Sequence, residues 1–399
     1  MKKIVGILAA AAMVASVFAA DLTGGVRLAG DLFNYDGTAE AAKALKLDNQ
    51  NRNWEVPLTL SVSSDNAGGT FKFWDNESSA FETGKWAIWF KPMDMLKVNL
   101  GTIDKSMNVE TIDWGGRLIN YDSFGASVDV NVDAFSATLS FVTGNGNYWF
   151  TDKKAGWVAD KAKEFADTSA TAEIDAEYAA WLALNPTATD KEKAEEKKSI
   201  TEAIEAEKAA LLAESAGAYV GELNLYAQYA ADFGTISAMF DFKNTFSNIA
   251  MGAGYKNTFG DLTVFADAAI YMDAKYKFND DGDAIVKDGF VNSIGVDADV
   301  TYAKDALNAQ LYVQWKSALK DMDKDVMDVL TIAKVSYALD AGTVFLYFKD
   351  ADLLADDFAC TIKPGFDGKV GIMDYEIAAQ FDIAKKVNIS VPVWFKVAF

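Results

Sequence analysis

Residues 387–399 read VNISVPVWFKVAF. Val387, Ile389, Val391, Val393, Phe395, Val397 and Phe399 take alternate positions, and Asn388, Ser390, Pro392, Trp394, Lys396 and Ala398 fill the gaps. Successive side chains of a strand point to opposite faces, so a period of two gives one apolar face and one mixed face. Toward the N-terminus the same template fits about 18 segments, beginning with Val26/Leu28/Leu32 and Trp54/Val56/Leu58/Leu60/Val62. Most run 8 to 12 residues, near the length of a tilted strand that crosses a bilayer. The reading is an all-β fold, a transmembrane antiparallel β-barrel of about 18 strands, with 16 as the alternative count.

Charge supports the membrane. The central part of each apolar face lacks Asp, Glu, Lys and Arg, although 24 % of the chain is charged. A lysine or arginine at the midplane of such a barrel costs about 2–4 kcal/mol, so lipid enforces the exclusion. A soluble core excludes charge as well, and the links between strands separate the two cases. Short links (92–95, 133–134, 232–234, 303–305, 340–342) mostly alternate with long ones (34–53, 75–84, 101–125, 143–218, 273–289, 316–328, 349–357). Tight turns on one rim and long loops on the other are the asymmetry of an outer-membrane barrel. The outer links near Asn244 and Ala384 are short. Tyr255, Tyr302, Tyr337, Phe366 and Phe399 would form one aromatic girdle, and Phe141, Phe242, Trp315, Phe348 and Phe381 the other. Pro57, Pro364 and Pro392 fall inside strands, where each removes a ladder hydrogen bond, and are expected to mark bulges or shifted ends.

Composition narrows the function. With 58 acidic against 37 basic side chains, the net charge of −21 repels nucleic acid. The chain has no histidine, which removes the usual general base and the commonest zinc ligand, and no enzyme is read from it. Its one cysteine, Cys360, cannot form an internal disulfide or a multi-cysteine cluster. Asp321, Asp323 and Asp325 have calcium-like spacing, and Asn279 to Asp283 is acidic around Gly282. Neither has the glycine and distal glutamate of a calcium loop, so both read as solvated loops, with no metal site and no cofactor. Residues 1–19 have the parts of a secretory leader: Lys2 and Lys3, an apolar run from Ile4 to Ala15, and a cleavage site at Val17-Phe18-Ala19. They are expected to be removed, leaving 20–399 as one barrel domain exported through the periplasm.

Residues 157–216 change period. They are rich in Ala, Glu and Lys, with Ile174, Tyr178, Trp181 and Leu182 at helical spacing. Asn185-Pro186 breaks the run, Thr189 and Glu192 are spaced as a capping box, and Ile200, Ala203, Ile204 and Leu211 form a second stripe. This is expected to be a helical hairpin inserted in an outer loop: a partner-binding surface, a solvated excursion or a cap over the pore mouth.

The mixed face carries the candidate lumen residues Glu55, Asp129, Glu222, Asp241, Asp267, Asp297, Asp299 and Lys334, with Arg27, Lys72 and Lys97. Such charges need water or partners, and a barrel of about 18 strands is wide enough to hold water. The leader, the strand rhythm and the terminal Val397-Ala398-Phe399 resemble bacterial outer-membrane porins. Ala20-Asp21 after the leader resembles, more narrowly, the large outer-membrane barrels of spirochaetes such as treponemes. The resemblance implies that Phe395, Val397 and Phe399 signal to the barrel-assembly machinery, and it suggests a homotrimer in outer-membrane lipid. It also implies that the loop after the fifth strand folds inward, placing Asp104, Glu110 and Asp113, near Gly115-Gly116, opposite Arg27, Lys72 and Lys97 as a pore constriction. The expected function is passive diffusion of small hydrophilic solutes or ions through the outer membrane. The alternatives are a surface adhesin or structural barrel, and a ligand-specific sugar or fatty-acid transporter. The sugar version would use an aromatic slide drawn from Trp89, Tyr226, Tyr271, Tyr312, Tyr347 and Trp394.

Overall fold

The computed structural model describes residues 19–35, 42–46, 58–75, 81–107, 118–142, 171–217, 222–243, 248–278, 285–318, 327–355 and 357–398. The first barrel stave is β1 (Ala19–Thr23) continued by β2 (Gly25–Tyr35), and the second is β3 (Ala42–Lys46) continued by β4 (Leu58–Ser63). Single staves follow as β5 (Ala67–Asp75), β6 (Phe81–Met93), β7 (Leu96–Ser106), β8 (Asn120–Val132), β9 (Phe135–Val142), β10 (Glu222–Ala231) and β11 (Gly234–Lys243). Next come β12 (Asn248–Phe259), β13 (Leu262–Phe278), β14 (Ile285–Lys304), β15 (Leu307–Ala318), β16 (Asp328–Leu339), β17 (Gly342–Asp350) and β18 (Cys360–Val370). β19 (Met373–Ala378) and β20 (Gln380–Ile383) share one stave, and β21 (Val387–Ala398) is the last.

Each stave pairs antiparallel with its chain neighbours, and β2 closes the ring by pairing Gly25 with Ala398 and Tyr35 with Ile389 of β21. Three staves are each split in two, so the 21 segments make eighteen staves, in the order expected from the alternation. On one rim the links are tight, as at 94–95, 133–134, 232–233, 305–306 and 340–341. Asp133 and Asp305 take positive φ there (48° and 51°), a conformation that aspartate tolerates better than most residues.

The prolines explain two irregularities. Pro364 of β18 faces Ala379, the residue between β19 and β20. The Ala379 N–H donates to the Pro364 carbonyl at 2.9 Å, but Pro364 has no N–H to return. Pro392 of β21 faces Asp31, and β2 slips register by one residue between Asp31 and Asn34. Pro57 lies outside the described residues.

Two staves run past their expected ends. β13 and β14 continue pairing out to Phe278 and Ile285, through a bulge between Ala274 and Tyr276, inside the stretch 273–289 read as loop. β3 likewise lies within the expected loop 34–53. Apolar alternation reports where a strand touches lipid, whereas a hydrogen-bonded hairpin can extend beyond it into water.

The hairpin insert is present. Helix α1 (171–184) packs antiparallel to α2 (Asp190–Gly217): Ile174 is buried against Ile200 and Ile204, and Lys197 Nζ lies 3.7 Å from Asp175 and 5.2 Å from the Tyr178 ring. Asn185 donates from Nδ2 to the Trp181 carbonyl at 2.9 Å where α1 ends. The capping box is formed: the Thr189 N–H donates to Glu192 Oε2 at 2.7 Å, and the Glu192 N–H to Thr189 Oγ1 at 3.4 Å. Residues 157–170 of the expected insert lie outside the described residues.

The Thr189 hydroxyl, donating to Glu192 Oε2 at 2.7 Å, and then the Thr189 N–H hold the Glu192 carboxyl below the usual glutamate range. A carboxyl with its folded pKa depressed adds stability above its unfolded pKa and loses it as pH falls through the folded one. Acidification from pH 7 through the carboxylate range is therefore expected to speed hydrogen exchange of the first-turn amides of α2 beyond their intrinsic pH dependence. Thr189→Ala should reduce that acid-dependent excess, leaving only the share due to the backbone N–H.

The two faces of the sheet are inverted relative to a soluble protein. Leu28, Phe90, Leu139, Phe141, Leu225, Ile270, Leu311, Val335, Tyr337 and Leu346 are exposed on the exterior, while Glu222, Asp241, Asp267, Asp297, Asp299 and Lys316 are buried within. Among the described residues no helix is long and apolar enough to cross a membrane. The barrel crosses with its strands, and lipid covers the outer face. Leu346 lies midway along β17 with 51 % of its surface exposed. Leu346→Arg is expected to destabilise the barrel in lipid vesicles by about 2–4 kcal/mol, read from denaturant unfolding. At a water-exposed surface the same change would be close to neutral.

Candidate functional site

The lumen is built by the odd or even positions that the alternation leaves inside. On β10 to β14 these are Glu222, Asn224, Tyr226, Ser237, Met239, Asp241, Asp267, Tyr271, Ser293, Asp297 and Asp299, all buried. Asp297 Oδ2 accepts from Tyr312 Oη at 2.9 Å, and Gln314 Nε2 donates to that hydroxyl at 2.7 Å. Asp299 accepts from Gln310 Nε2 at 2.6 Å and from Thr301 Oγ1 at 3.0 Å. Acidic groups thus dominate this arc, with Lys256 toward its turn end and Lys316 on the adjoining β15.

The rest of the wall is richer in bases. Lys363 donates to Glu376 Oε1 at 3.0 Å. Lys334 and Lys363 lie 4.9 and 5.5 Å from the Phe345 ring. Arg27 lies over Trp394 at 5.1 Å, and Lys97 over Trp89 at 5.2 Å. Lys72 pairs across the sheet with Thr59, and Lys97 with Asp129. Asp129 accepts from Asn99 Nδ2 and Thr138 Oγ1, each at 2.8 Å.

The two described ends of the link between β7 and β8, Met107 and Leu118-Ile119, lean into this space. The Met107 N–H donates to the Ile119 carbonyl at 3.0 Å, extending the ladder by one step. Met107, Leu118 and Ile119 are buried against Tyr226, Met239, Ala250, Ala269 and Tyr271, on staves well round the ring. Tyr271 Oη donates to the Leu118 carbonyl at 2.6 Å. Glycines make the seats: a Cβ on Gly252 would meet Met107 Sδ, and one on Gly295 would lie 2.8 Å from Leu118 Cδ2.

Of the residues named for a constriction, Arg27, Lys72 and Lys97 stand on the inner wall, while Glu110 and Asp113 lie outside the described residues, as do Glu55 and Phe399. Asp104 is within β7, on the strand face opposite buried Ile103, half exposed and 3.8 Å from Lys85 Nζ. Phe395 is exposed on the exterior, and Val397 pairs with Val26 and Met373.

No protein-family model matches the chain, and no curated protein matches it in sequence. Among solved structures it is similar to Pseudomonas aeruginosa OccK2 (OpdF) in complex with glucuronate, with a TM-score of 0.51 at 8 % identity over 96 % of each chain. A second structure of OccK2 (OpdF) gives 0.50 at 8 % identity, covering 96 % of this chain and 98 % of that one. A BenF-like porin from Pseudomonas fluorescens Pf-5 gives 0.49 at 8 % identity, covering 96 % and 99 %. The fold is that of an outer-membrane porin barrel. At this identity the likeness is one of fold alone.

Alternation did not reveal two parts of the lumen. Met107, Leu118 and Ile119 are apolar residues in a link, and their only signal was that link's length. Leu330 and Ile332 face inward against Tyr312 and Tyr347, but in β16 both faces are apolar and the period of two says little. The inward lean of the link has a direct check. In a Cys360→Ser background, Met107→Cys with Gly252→Cys is expected to form a disulfide under mild oxidation, because the two side chains share one space. Met107→Cys with Gly368→Cys should stay open.

Proposed function

We propose that this chain is an outer-membrane pore through which small hydrophilic solutes or ions diffuse passively. One observation carries the reading: a closed ring of staves keeps its uncharged face outward and lines its interior with carboxylates, lysines and amides. Charged groups on a wall need water or partners, and an eighteen-stave ring has room for a water path. No bond-making chemistry is assigned to it, since a histidine-free lumen offers no ordinary general base.

The residues after Ser106 narrow the path, with Glu110 and Asp113 set against Arg27, Lys72 and Lys97. Asp104, on the outward face of β7 opposite Ile103, lies apart from it. The seating of Met107, Leu118 and Ile119 on the far wall supports a constriction of this kind. Acid on β10 to β14 faces a wall richer in base, so the path carries a transverse field that favours small polar solutes with separated charge. Glucuronate, with which OccK2 is in complex, is a sugar carboxylate. A carboxylated permeant would meet Lys334, Lys363 and Arg27 here. A sugar slide is less well supported, because Tyr312 is tied to Asp297 and Trp89 and Trp394 already lie under cations.

In the same reading residues 1–19 are a leader, 20–399 form one barrel domain, and 157–216 are an insertion in an outer loop. Phe395, Val397 and Phe399 present the assembly signal, the barrel works in outer-membrane lipid, and a homotrimer is its expected state. The narrower spirochaete likeness rests on Ala20-Asp21 after the leader. Planar-bilayer recording tests the pore. Discrete conductance steps are expected, and Lys334→Gln combined with Lys363→Gln should move the reversal potential in a KCl gradient toward cation preference. A purified, folded barrel that gives no steps would leave the adhesin or structural barrel as the better reading.

A further inference from the structure

Asp267 of β13 and Asp297 of β14 sit directly opposite each other in the ladder, on the inner face, with 2 % and 1 % of their surfaces exposed. Like charges in this position repel at a Cβ separation of about 4.5–5.5 Å. Tyr312 and Gln314 both address Asp297 Oδ2, at 2.9 and 3.4 Å. Among the described residues nothing donates to Asp297 Oδ1 or to either oxygen of Asp267. Three of the pair's four carboxylate oxygens are therefore buried without a donor.

The surroundings supply a third oxygen. Asp267 leans across Gly254 of β12: a Cβ there would collide with Asp267 Oδ1 and lie 2.9 Å from Ser237 Oγ. Ser237 is also buried at 2 % exposure, and its hydroxyl has no partner among the described residues. The missing side chain at Gly254 opens a small space into which the Ser237 hydroxyl and the Asp267 carboxylate both project, beside Asp297. Two carboxylates and a hydroxyl form an all-oxygen set, the donor chemistry of a hard divalent cation. Asp299 and Lys316 stand on either side of Asp297 along this wall, their charges opposing, so the local excess remains that of the acidic pair. A calcium-sized ion balances two negative charges and tolerates irregular coordination, with water completing its shell.

We propose that Asp267, Asp297 and Ser237 form a divalent-cation site on the lumen wall. Its ligands come from three staves rather than one loop, which is why no calcium-loop spacing marks it in the sequence. The ion would bridge β11, β13 and β14, fixing the acidic arc against which Met107 and Leu118 are seated.

The test is calorimetric titration of Ca2+ into the detergent-purified full barrel at about 0.15 M salt, where the Debye length of about 8 Å weakens loose surface binding. The expected result is a saturable Ca2+ site in the wild type that Asp267→Asn and Asp297→Asn each weaken at least tenfold, with the folded, heat-modifiable electrophoretic band retained. If a neutralised variant does not fold, Ser237→Ala is read in its place. It keeps both charges and is expected to weaken binding about threefold by removal of one neutral ligand. The proposal is overturned if the wild type takes up no saturable Ca2+, or if Asp267→Asn, or Ser237→Ala where that is the variant read, titrates like the wild type. A pair that instead shares a proton would give this outcome. Conductance in the bilayer is a separate readout: a barrel that conducts but takes up no Ca2+ loses this proposal and keeps the pore.

Discussion

Everything in this barrel depends on pairing the backbone away from water. A strand in hydrocarbon has no solvent to satisfy its N–H and C=O groups, so an open sheet edge would leave a row of costly orphans. The ring avoids this by returning β21 to β2, with Gly25 to Tyr35 running beside Ala398 to Ile389. The constraint also bears on the irregular ladders near this closure. Pro392 withholds a donor on the closing stave, where β2 slips by a residue at Asp31, and Pro364 does so on β18, opposite Ala379 between β19 and β20. Irregular backbone is tolerated there because only single ladder steps are lost and pairing resumes on both sides.

Closure fixes the chemistry of both faces at once. With the backbone satisfied within the wall, the exterior needs only uncharged side chains, and the polar groups collect inside. What they do there depends on which staves carry them. Glu222, Asp241, Asp267, Asp297 and Asp299 fall on four staves between β10 and β14, while Lys334, Lys363, Lys396, Arg27, Lys72 and Lys97 fall on the remaining wall, interleaved there with Asp129, Asp382 and Glu376. The sequence shows mixed signs along the chain and does not say on which side of the ring each falls. Which side of a ring a residue occupies follows from strand order, and strand order is secure only once the number of staves is known.

The strands were legible because lipid imposes a simple rule on every second residue. Leu28, Leu139, Leu225, Leu311 and Leu346 all obey it, and the eighteen staves follow in order from that rule alone. The rule stops at the membrane boundary, which is why β13 and β14 outrun their expected ends and β3 hid in an expected loop. It is also silent about the interior, where no single solvent acts on each position. Leu330, Ile332 and Phe345 lie inside, packed with tyrosines or beneath lysines, in places where alternation would lead one to expect polar groups. The hairpin of α1 and α2 was legible for a different reason: Asn185 and the Thr189/Glu192 box are local signals that need no tertiary context.

The glycines of the inner wall connect these parts. Gly252, Gly254 and Gly295 lie on the inward faces of β12 and β14, and a glycine within a strand normally weakens it. Here each missing Cβ is occupied by something from elsewhere in the fold: Met107 at Gly252, the Asp267 carboxylate at Gly254, and Leu118 at Gly295. The link after β7 and the acidic pair therefore press on the same small region of wall. A change that moves one should be felt by the other through β12 and β13, whose ladder runs unbroken from Asn248/Asp273 to Phe259/Leu262. A residue larger than glycine at any of the three positions would displace Met107, Leu118 or the Asp267 carboxylate.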